Sequence, residues 1–205
     1  MGLLEYLKNN YSQNEPIYAD EIQFGDYSGE RIAEALESLA VRREIKLFDT
    51  GIYYFPTKLF FGDSRLNPLK VIERRYLTNG VEVYGYTSGL SLQNLAGLST
   101  QVPNVIELTT EKGNGVVEIT VGGQKVITYK SPTKITRENA NTLQFLDLMT
   151  HAVPSDIGET ESFLLKNFTK NKKISRSDIN KYAGFFPKEA MINIRESKIE
   201  NEFTQ

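Results

Sequence analysis

Cysteine and tryptophan are absent from this chain of 205 residues, and histidine occurs once, as His151. Without cysteine there is no disulfide bond and no thiolate nucleophile or zinc ligand, and a single histidine cannot form a His-based metal cluster. No serine lies in a Gly-x-Ser-x-Gly nucleophile elbow, and no Gly-rich loop carries the Lys-Ser/Thr pair of a P-loop. We therefore expect no enzyme activity, cofactor or metal. One alternative stays open, a metal-dependent nuclease using Glu107 or Glu118, but neither glutamate is followed two residues later by lysine.

Long apolar runs are also missing, so no membrane-spanning segment is predicted. The segment from Met1 to Glu5 lacks the basic region and apolar stretch of a secretion signal. We therefore expect a cytoplasmic protein that does not contact a membrane. The net charge of -2 does not fit a non-specific nucleic-acid coat, which needs a strongly basic surface, so any DNA binding has to rely on a local basic cluster.

An amphipathic helix is predicted between Ser28 and Arg43. Apolar residues recur along it at helical spacing, and charged residues occupy most of the remaining positions. The apolar positions are Ile32, Ala35, Leu36, Leu39 and Ala40. Ser28 is a suitable N-cap, Glu30 suits the positive end of the helix dipole, and Arg42 with Arg43 suits the negative end. Both ends of the helix are therefore signalled by the sequence.

The segment after this helix predicts a β-hairpin, because two β-rich runs, residues 45–48 and 52–55, flank a turn that contains Gly51. Upstream, residues 19–24 are suited to a short helix and residues 25–27 to a turn. The order helix, turn, helix, hairpin is that of a winged helix-turn-helix, whose second helix enters the DNA major groove while the hairpin contacts the neighbouring backbone. Many such modules dock proteins instead, so a protein-interaction function stays open.

Eight residues are candidate DNA contacts. The candidates for base edges are Ser28, Arg31 and Glu34, and those for phosphates or wing contacts are Arg42, Arg43, Lys46, Thr50 and Tyr53. The surrounding charge is unfavourable, because residues 1–60 contain more Asp and Glu than Lys and Arg. This acidity favours the alternative, a module that no longer binds DNA.

Leu59, Phe60 and Phe61 are expected to pack against a following domain, with the domain boundary near residues 57–66. Asn67 and Pro68 then signal the start of another helix. The predicted helices beyond the boundary cover residues 67–77, 84–98, 137–150, 159–168, 177–182 and 187–196. The predicted strands cover residues 104–110, 116–121 and 125–129, and the glycine turns between them indicate an antiparallel meander. The tail 200–205 is expected to fray.

A basic patch without acidic residues lies in the C-terminal third. It consists of Lys166, Lys170, Lys172, Lys173 and Arg176. A run of this kind is usually a solvated surface, but it is also the strongest candidate for a contact with an acidic partner protein or with DNA.

The segment YGYTSGLSLQNLAGLSTQVPNVIEL, from Tyr84 to Leu108, resembles the second-domain core of the AbiEi-type antitoxins of type IV toxin-antitoxin systems. The resemblance covers roughly residues 17–130, and its most specific part is the turn from Gly97 to Pro103. The family carries arginine near the end of the recognition helix and in the wing tip, where this chain has Glu37-Ser38 and Asp49-Thr50.

The resemblance implies an autoregulatory transcriptional repressor that binds double-stranded DNA at inverted repeats in its own promoter. It also implies an antitoxin, active in phage abortive infection, that counteracts a nucleotidyltransferase-like toxin encoded alongside. We expect an α+β protein with a winged helix-turn-helix at residues 1–58 and, at residues 59–205, helices packed on a small, mostly antiparallel sheet. The alternative is a non-DNA-binding module that uses the second domain to neutralise or scaffold a partner protein.

Overall fold

The computed structural model describes residues 2–153, 155, 157–197, 199 and 203. The architecture is α+β. The chain divides into two units, one formed by Met1–Ile72 with Val121–Gly123 and the other by Glu73–Thr120 with Gln124–Gln205. No helix in the described ranges is both long and apolar enough to cross a membrane.

The first unit alternates short helices and strands. Its elements are α1 (Leu3–Asn10), β1 (Ile17–Tyr18), α2 (Gly29–Val41), β2 (Lys46–Asp49), β3 (Ile52–Tyr54), β4 (Lys58–Leu59), β5 (Gly62–Asp63) and the start of α3 (Pro68–Tyr76). Helix α2 confirms the predicted helix, and its N-cap Ser28 accepts a hydrogen bond from the Arg31 N–H at 3.3 Å. The helix predicted for residues 19–24 shortens to the 3-10 turn Ala19–Glu21, because the preceding residues are held in β1.

Strand β3 lies in the centre of a three-stranded sheet with the order β1-β3-β2. The predicted hairpin of β2 and β3 is present, and β1 adds to its other edge with Ile17 opposite Tyr53. Two residues are too few to show a strand periodicity, which is why the sequence does not reveal β1. The sheet and the apolar face of α2 enclose the core of the unit. This core includes Leu7, Ile17, Ile32, Leu36, Leu39, Ile45 and Tyr53.

The first unit extends past the boundary expected near residues 57–66. The hairpin of β4 and β5 continues it beyond β3, and the Tyr18 hydroxyl donates a hydrogen bond to the Val71 carbonyl in α3 at 2.8 Å. The expectation that Leu59, Phe60 and Phe61 pack against a following domain is wrong. Phe60 and Phe61 are 95% and 97% exposed, because they form the tip of the hairpin, where Leu59 already pairs with Gly62.

The second unit combines one mixed sheet with five helices in its described residues. Its elements are β6 (Gly85–Thr87), α4 (Gly89–Leu95), β7 (Val105–Thr110), β8 (Val117–Val121), β9 (Gln124–Lys130), α5 (Ala140–His151), α6 (Glu159–Asn171), α7 (Arg176–Tyr182) and α8 (Lys188–Glu196). A 3-10 turn, Ala183–Phe185, joins α7 to the segment before α8. The helices predicted from residue 137 onward are therefore all present.

The prediction of a single helix over residues 84–98 is wrong. The segment forms strand β6 followed by helix α4. A Cβ on Gly85 would lie 2.0 Å from the Tyr76 carbonyl oxygen, so this glycine permits a close backbone approach and is not an interruption of a helix. The Gly85 N–H donates to the Leu77 carbonyl at 3.2 Å, and Gly85 lies opposite Thr110 of β7. Non-local strand pairing therefore overrides the local helical pattern.

The predicted antiparallel meander is also wrong. The strand order is β6-β7-β9-β8, in which β6 and β7 are antiparallel but β7 and β9 run parallel from the pair Val105–Lys125 to the pair Thr110–Lys130. Strand β8 follows β7 in the chain but lies beyond β9, at the edge of the sheet. The sheet is therefore mixed, with β7 and β9 as its parallel pair.

Helix α5 is the central element of the hydrophobic core of the second unit. Phe145, Leu146 and Met149 are fully buried, among side chains of α4, α6, α7 and α8. The Asn193 side-chain amide donates hydrogen bonds of 2.8 Å to the carbonyls of Met149 and Ala152, which fixes α8 against the end of α5. Within the tail 200–205, expected to fray, Phe203 alone is described, and its ring packs edge-on against Phe145; the other five residues lie outside the described ranges.

Candidate nucleic-acid interface

The exposed side of α2 carries one continuous row of polar side chains. Arg31, Glu34, Ser38 and Arg42 are all exposed, and their spacing of three and four residues places them along one face of the helix. The opposite face contributes buried side chains to the core of the unit. From Arg31 to Arg42 the row is roughly 16 Å long at 1.5 Å per residue. Two of the three predicted base-contacting residues therefore share a face with one predicted phosphate contact.

The start of this row is fixed by an aromatic contact that the sequence reasoning missed. The guanidinium carbon of Arg31 lies 4.2 Å from the centroid of the Tyr27 ring. The Tyr27 ring in turn packs edge-on against Phe24, and Phe24 packs against Tyr6 of α1. The sequence does contain a signal for this contact, because Tyr27 precedes Arg31 by four residues and the two lie on either side of the N-cap. Ser28 is also at this end, but its Oγ serves as the helix cap and stays close to the backbone.

The other end of the row holds two arginines at the point where α2 terminates. Arg42 is the C-cap residue, and its Nε donates to the Ser38 carbonyl at 3.4 Å. Arg43 adopts a left-handed backbone with a φ of 59°. The Arg43 and Glu44 N–H groups close the helix by donating to the Ala40 and Leu39 carbonyls at 3.0 Å. The exposed side chain of Val41, which is 83% exposed, adds an apolar group beside Arg42 that the sequence reasoning did not single out.

The hairpin places Lys46 and Thr50 at the surface, but Lys46 already has an acidic partner. Its Nζ lies 3.0 Å from Asp63 Oδ2, while Lys58 Nζ lies 2.7 Å from Asp63 Oδ1. Hydrogen bonds from Lys58 and then Lys46 hold the pKa of the Asp63 carboxyl below its usual range. Thr50 is exposed in the turn, and its N–H donates to Asp49 Oδ1 at 2.8 Å. The hairpin therefore offers fewer uncompensated positive charges than the sequence indicates.

Tyr53 was expected to make a wing contact, and the structure contradicts this. The residue is 4% exposed and belongs to the core of the first unit, because β1 pairs with β3 and turns β3 into a central strand. Burial, with a smaller contribution from the negative charge of Glu37, raises the pKa of the Tyr53 hydroxyl. Tyr53 is therefore a structural residue rather than a candidate DNA contact.

The predicted basic patch of the second unit is divided between two places. Lys166 and Lys170 are one turn apart on α6, whereas Lys172, Lys173 and Arg176 lie at the turn into α7. Lys172 is half-buried with its Nζ 5.7 Å from the centroid of the Phe168 ring, and burial lowers the pKa of its ammonium group. The five basic residues therefore do not form one evenly exposed surface, although they are close together in the sequence.

Comparison with known proteins gives no matching family model and no matching curated protein.

Proposed function

We propose that the first unit is a winged helix-turn-helix and that it binds double-stranded DNA through the exposed face of α2. The observation that carries this proposal is the single row of Arg31, Glu34, Ser38 and Arg42 on a helix whose other face is buried. A helix of this diameter fits the major groove, and arginine is the residue that most often reads guanine there. The β2–β3 hairpin follows α2 directly and provides the wing.

The ion pairs of the unit indicate which residues carry the phosphate contacts. Lys46 and Lys58 share the carboxylate of Asp63, and Lys8 lies 3.9 Å from Glu44. Arg31, Arg42 and Arg43 are the exposed basic residues on α2 and directly after it, and we assign the contacts with DNA to them. Glu34, between them, can accept a hydrogen bond from a cytosine amino group and would repel a phosphate, which favours specific over non-specific binding.

We further propose that the protein is a cytoplasmic repressor of its own promoter and an antitoxin. This part rests on the resemblance of residues 17–130 to AbiEi-type antitoxins, with the turn from Gly97 to Pro103 as its most specific segment. In this proposal, the second unit counteracts a nucleotidyltransferase-like toxin encoded alongside, and Lys170 and Lys173, both exposed, are the candidate contacts to an acidic partner.

Fluorescence anisotropy with labelled DNA from upstream of the gene, compared with a scrambled fragment across a salt titration, tests the DNA-binding proposal. We expect preference for the native fragment and an affinity that falls steeply with salt. The salt slope, meaning the steepness of the fall in the logarithm of the binding constant with the logarithm of the salt concentration, increases by about 0.9 for each phosphate that the protein neutralises. Arg42→Ala combined with Arg43→Ala should reduce that slope, and Arg31→Ala should reduce the preference for the native sequence.

Lys8→Ala is the matched control, because it removes one exposed positive charge from the same unit on a different helix. It should leave both the preference and the slope nearly unchanged. Equal binding to both fragments, or an unchanged slope in the Arg42 and Arg43 double variant, would contradict the proposal.

A second candidate function is a protein-interaction module that does not bind DNA. It is favoured by the exposed pair Phe60 and Phe61, whose rings pack edge-on with centroids 4.9 Å apart at the tip of the β4–β5 hairpin. Exposed aromatic pairs are typical of binding surfaces rather than of free surfaces. Loss of partner binding on substitution of both residues by serine, with DNA binding absent in the unsubstituted protein, would favour this function.

A further inference from the structure

The second unit contains a pocket of about 630 Å³, a size typical of small-molecule sites. It lies between the end of β6, the start of α4, the sheet strands β7 and β9, the last turns of α5 and the segment before α8. Its apolar lining includes Leu90, Phe185, Phe186 and Pro187. The pocket therefore combines a polar floor on the sheet with an apolar wall.

Three buried side-chain oxygens in the described residues have no hydrogen-bond partner, and all three belong to residues that line this pocket. They are the Tyr86 hydroxyl, the Ser88 hydroxyl and Asp147 Oδ2. Tyr86 and Ser88 are 5% and 2% exposed. A buried polar group without a partner is unfavourable by about 1 to 3 kcal/mol, so such groups are rare and seldom occur together by chance. Their concentration at one pocket indicates a ligand that supplies the missing partners.

Asp147 shares the pocket with one acidic side chain, Glu107, and two basic side chains, His151 and Lys130. Burial is the main cause that raises the pKa of Asp147 to about 6; the positive charge of His151 lowers this pKa, and Glu107 of β7 raises it by a smaller amount. The opposing groups are His151, whose Nε2 lies 3.9 Å from Asp147 Oδ1 and whose side chain is 59% exposed, and Lys130, which is also exposed. Burial, and then the Asp147 charge, raise the pKa of Tyr86 more than its contact with the Thr109 side chain lowers it, so the Tyr86 hydroxyl stays protonated.

Glu107 is held in place by the start of α4. Its Oε2 accepts a hydrogen bond from the Leu90 N–H at 2.6 Å, and a Cβ on Gly89 would lie 1.4 Å from the same oxygen. Burial, and then the charge of Glu107, also raises the pKa of Tyr129, which lines the pocket from β9. Glu107 is therefore held by the backbone of α4, whereas Asp147 Oδ2 is a buried oxygen at the pocket without a hydrogen-bond partner.

We propose that this pocket binds a small organic cation, a primary amine with an apolar or aromatic body. A primary ammonium group has three N–H donors and no acceptor, which matches the three unpartnered oxygens of Tyr86, Ser88 and Asp147. Asp147 serves as its counter-ion, with Glu107 adding to the negative potential. The apolar body occupies the side of the pocket lined by Phe185 and Phe186.

Other ligand classes fit less well. An anion would face both Asp147 and Glu107, and a neutral molecule would leave the Asp147 carboxylate without a counter-charge. The described residues contain no group of three His, Asp or Glu side chains suited to a metal ion. This inference concerns the second unit alone and does not depend on DNA binding by the first.

Isothermal titration calorimetry with three molecules of similar shape tests the proposal: phenethylamine, the neutral 2-phenylethanol and the anionic 3-phenylpropionate. We expect binding of phenethylamine at pH 7.5 and at least tenfold weaker binding of the other two. At pH 6, phenethylamine binding measured in two buffers of different ionisation enthalpy should release about half a proton, because the bound cation favours the ionised form of Asp147.

Asp147→Asn should weaken phenethylamine binding at least tenfold and remove the proton release, whereas Glu118→Gln, which removes an exposed carboxylate outside the pocket, should change neither. Tyr86→Phe and Ser88→Ala, each lacking one acceptor, should weaken binding severalfold and test the same site if Asp147→Asn does not fold. Absence of phenethylamine binding, equal affinity for 2-phenylethanol, or unchanged affinity in all three pocket variants would overturn the proposal.

Discussion

The guanidinium carbon of Arg31 lies 4.2 Å from the centroid of the Tyr27 ring, immediately across the N-cap of α2. Stacking of this kind is worth about 0.5 to 1 kcal/mol at an exposed site, and it restricts the arginine to one direction. Tyr27→Leu should therefore weaken binding to the native DNA fragment about two- to fivefold in anisotropy titrations. Tyr27→Phe keeps the ring and should bind like the unsubstituted protein. Equal losses in both variants would argue against positioning by the ring.

Arg43 allows DNA binding and stability to be separated. Its φ of 59° places it in the left-handed region, which glycine adopts without strain. Arg43→Gly should therefore leave the free energy of unfolding unchanged or raise it by about 1 kcal/mol, while it lowers the salt slope of DNA binding by about 0.9. Chemical denaturation and anisotropy on the same sample measure the two effects. A destabilised variant would contradict the backbone argument, and an unchanged salt slope would remove Arg43 from the phosphate contacts.

Ser28 is expected to act in folding through its cap. Because its Oγ accepts the Arg31 N–H at 3.3 Å, Ser28→Ala should lower the free energy of unfolding by about 1 kcal/mol. Ser38→Ala, at an exposed position within the same helix, is the control and should change it by less than about 0.5 kcal/mol. Urea denaturation followed by circular dichroism distinguishes the two, and similar effects for both would count against the cap.

Asp147 should make the empty protein less stable as the pH rises. Burial raises its pKa from 3.8 to about 6, so the folded state binds the proton more tightly than the unfolded state. The resulting stabilisation is fully present below pH 3.8 and is lost as the pH rises through 6. The neutral variant Asp147→Asn should therefore be more stable than the unsubstituted protein at pH 8, by up to about 3 kcal/mol, and similar to it at pH 4.

Thermal unfolding at a series of pH values measures this difference. Glu118→Gln removes an exposed carboxylate and keeps Asp147, so its stability should follow that of the unsubstituted protein across the series. A variant Asp147→Asn that is less stable than the unsubstituted protein at pH 8 would show that the carboxylate is stabilised by partners in the folded state.

Gly89 should be intolerant of any side chain. Its φ is 55°, and a Cβ would collide with the Glu107 carboxylate, so Gly89→Ala combines backbone strain with displacement of a charged group. We expect a loss of about 2 kcal/mol or more in the free energy of unfolding. Gly29→Ala, at the start of α2 with no atom within 4 Å of the new Cβ, should be neutral or slightly stabilising. Similar effects of the two substitutions would contradict the assigned role of Gly89.

Local signals in the sequence were sufficient for several elements. Helix α2 begins at the expected cap and ends at the expected arginines, and Asn67 and Pro68 mark the start of α3, where Asn67 Oδ1 accepts the Leu69 N–H at 3.0 Å. The β2–β3 hairpin also follows from its two strand-like runs and a turn with Gly51. These features depend on residues a few positions apart, and helical or strand periodicity reports on them directly.

The candidate site was less predictable. The row on α2 follows from helical spacing, but the stacking of Arg31 on Tyr27 and the pairing of Lys46 with Asp63 do not, because they depend on side-chain directions across an N-cap and between two hairpins. The pocket of the second unit was not predicted at all, since Tyr86, Ser88 and Asp147 are brought together from β6, the start of α4 and α5.

The sequence by itself determined that helix α2, the first hairpin and the C-terminal helices form, because capping, turn residues and periodicity act over one or two turns of chain. The bounds of α5 and α6 differ from the predicted ones by up to three residues. Only the tertiary structure decided that Tyr53 is buried and that residues 85–87 form a strand, because pairing with β1 and with β7 determines both. It also decided that β7 and β9 run parallel and that Phe60 and Phe61 lie in solvent. These outcomes depend on which distant segments meet, and the free energy of burial and strand pairing at those contacts exceeds the local preferences of the residues involved.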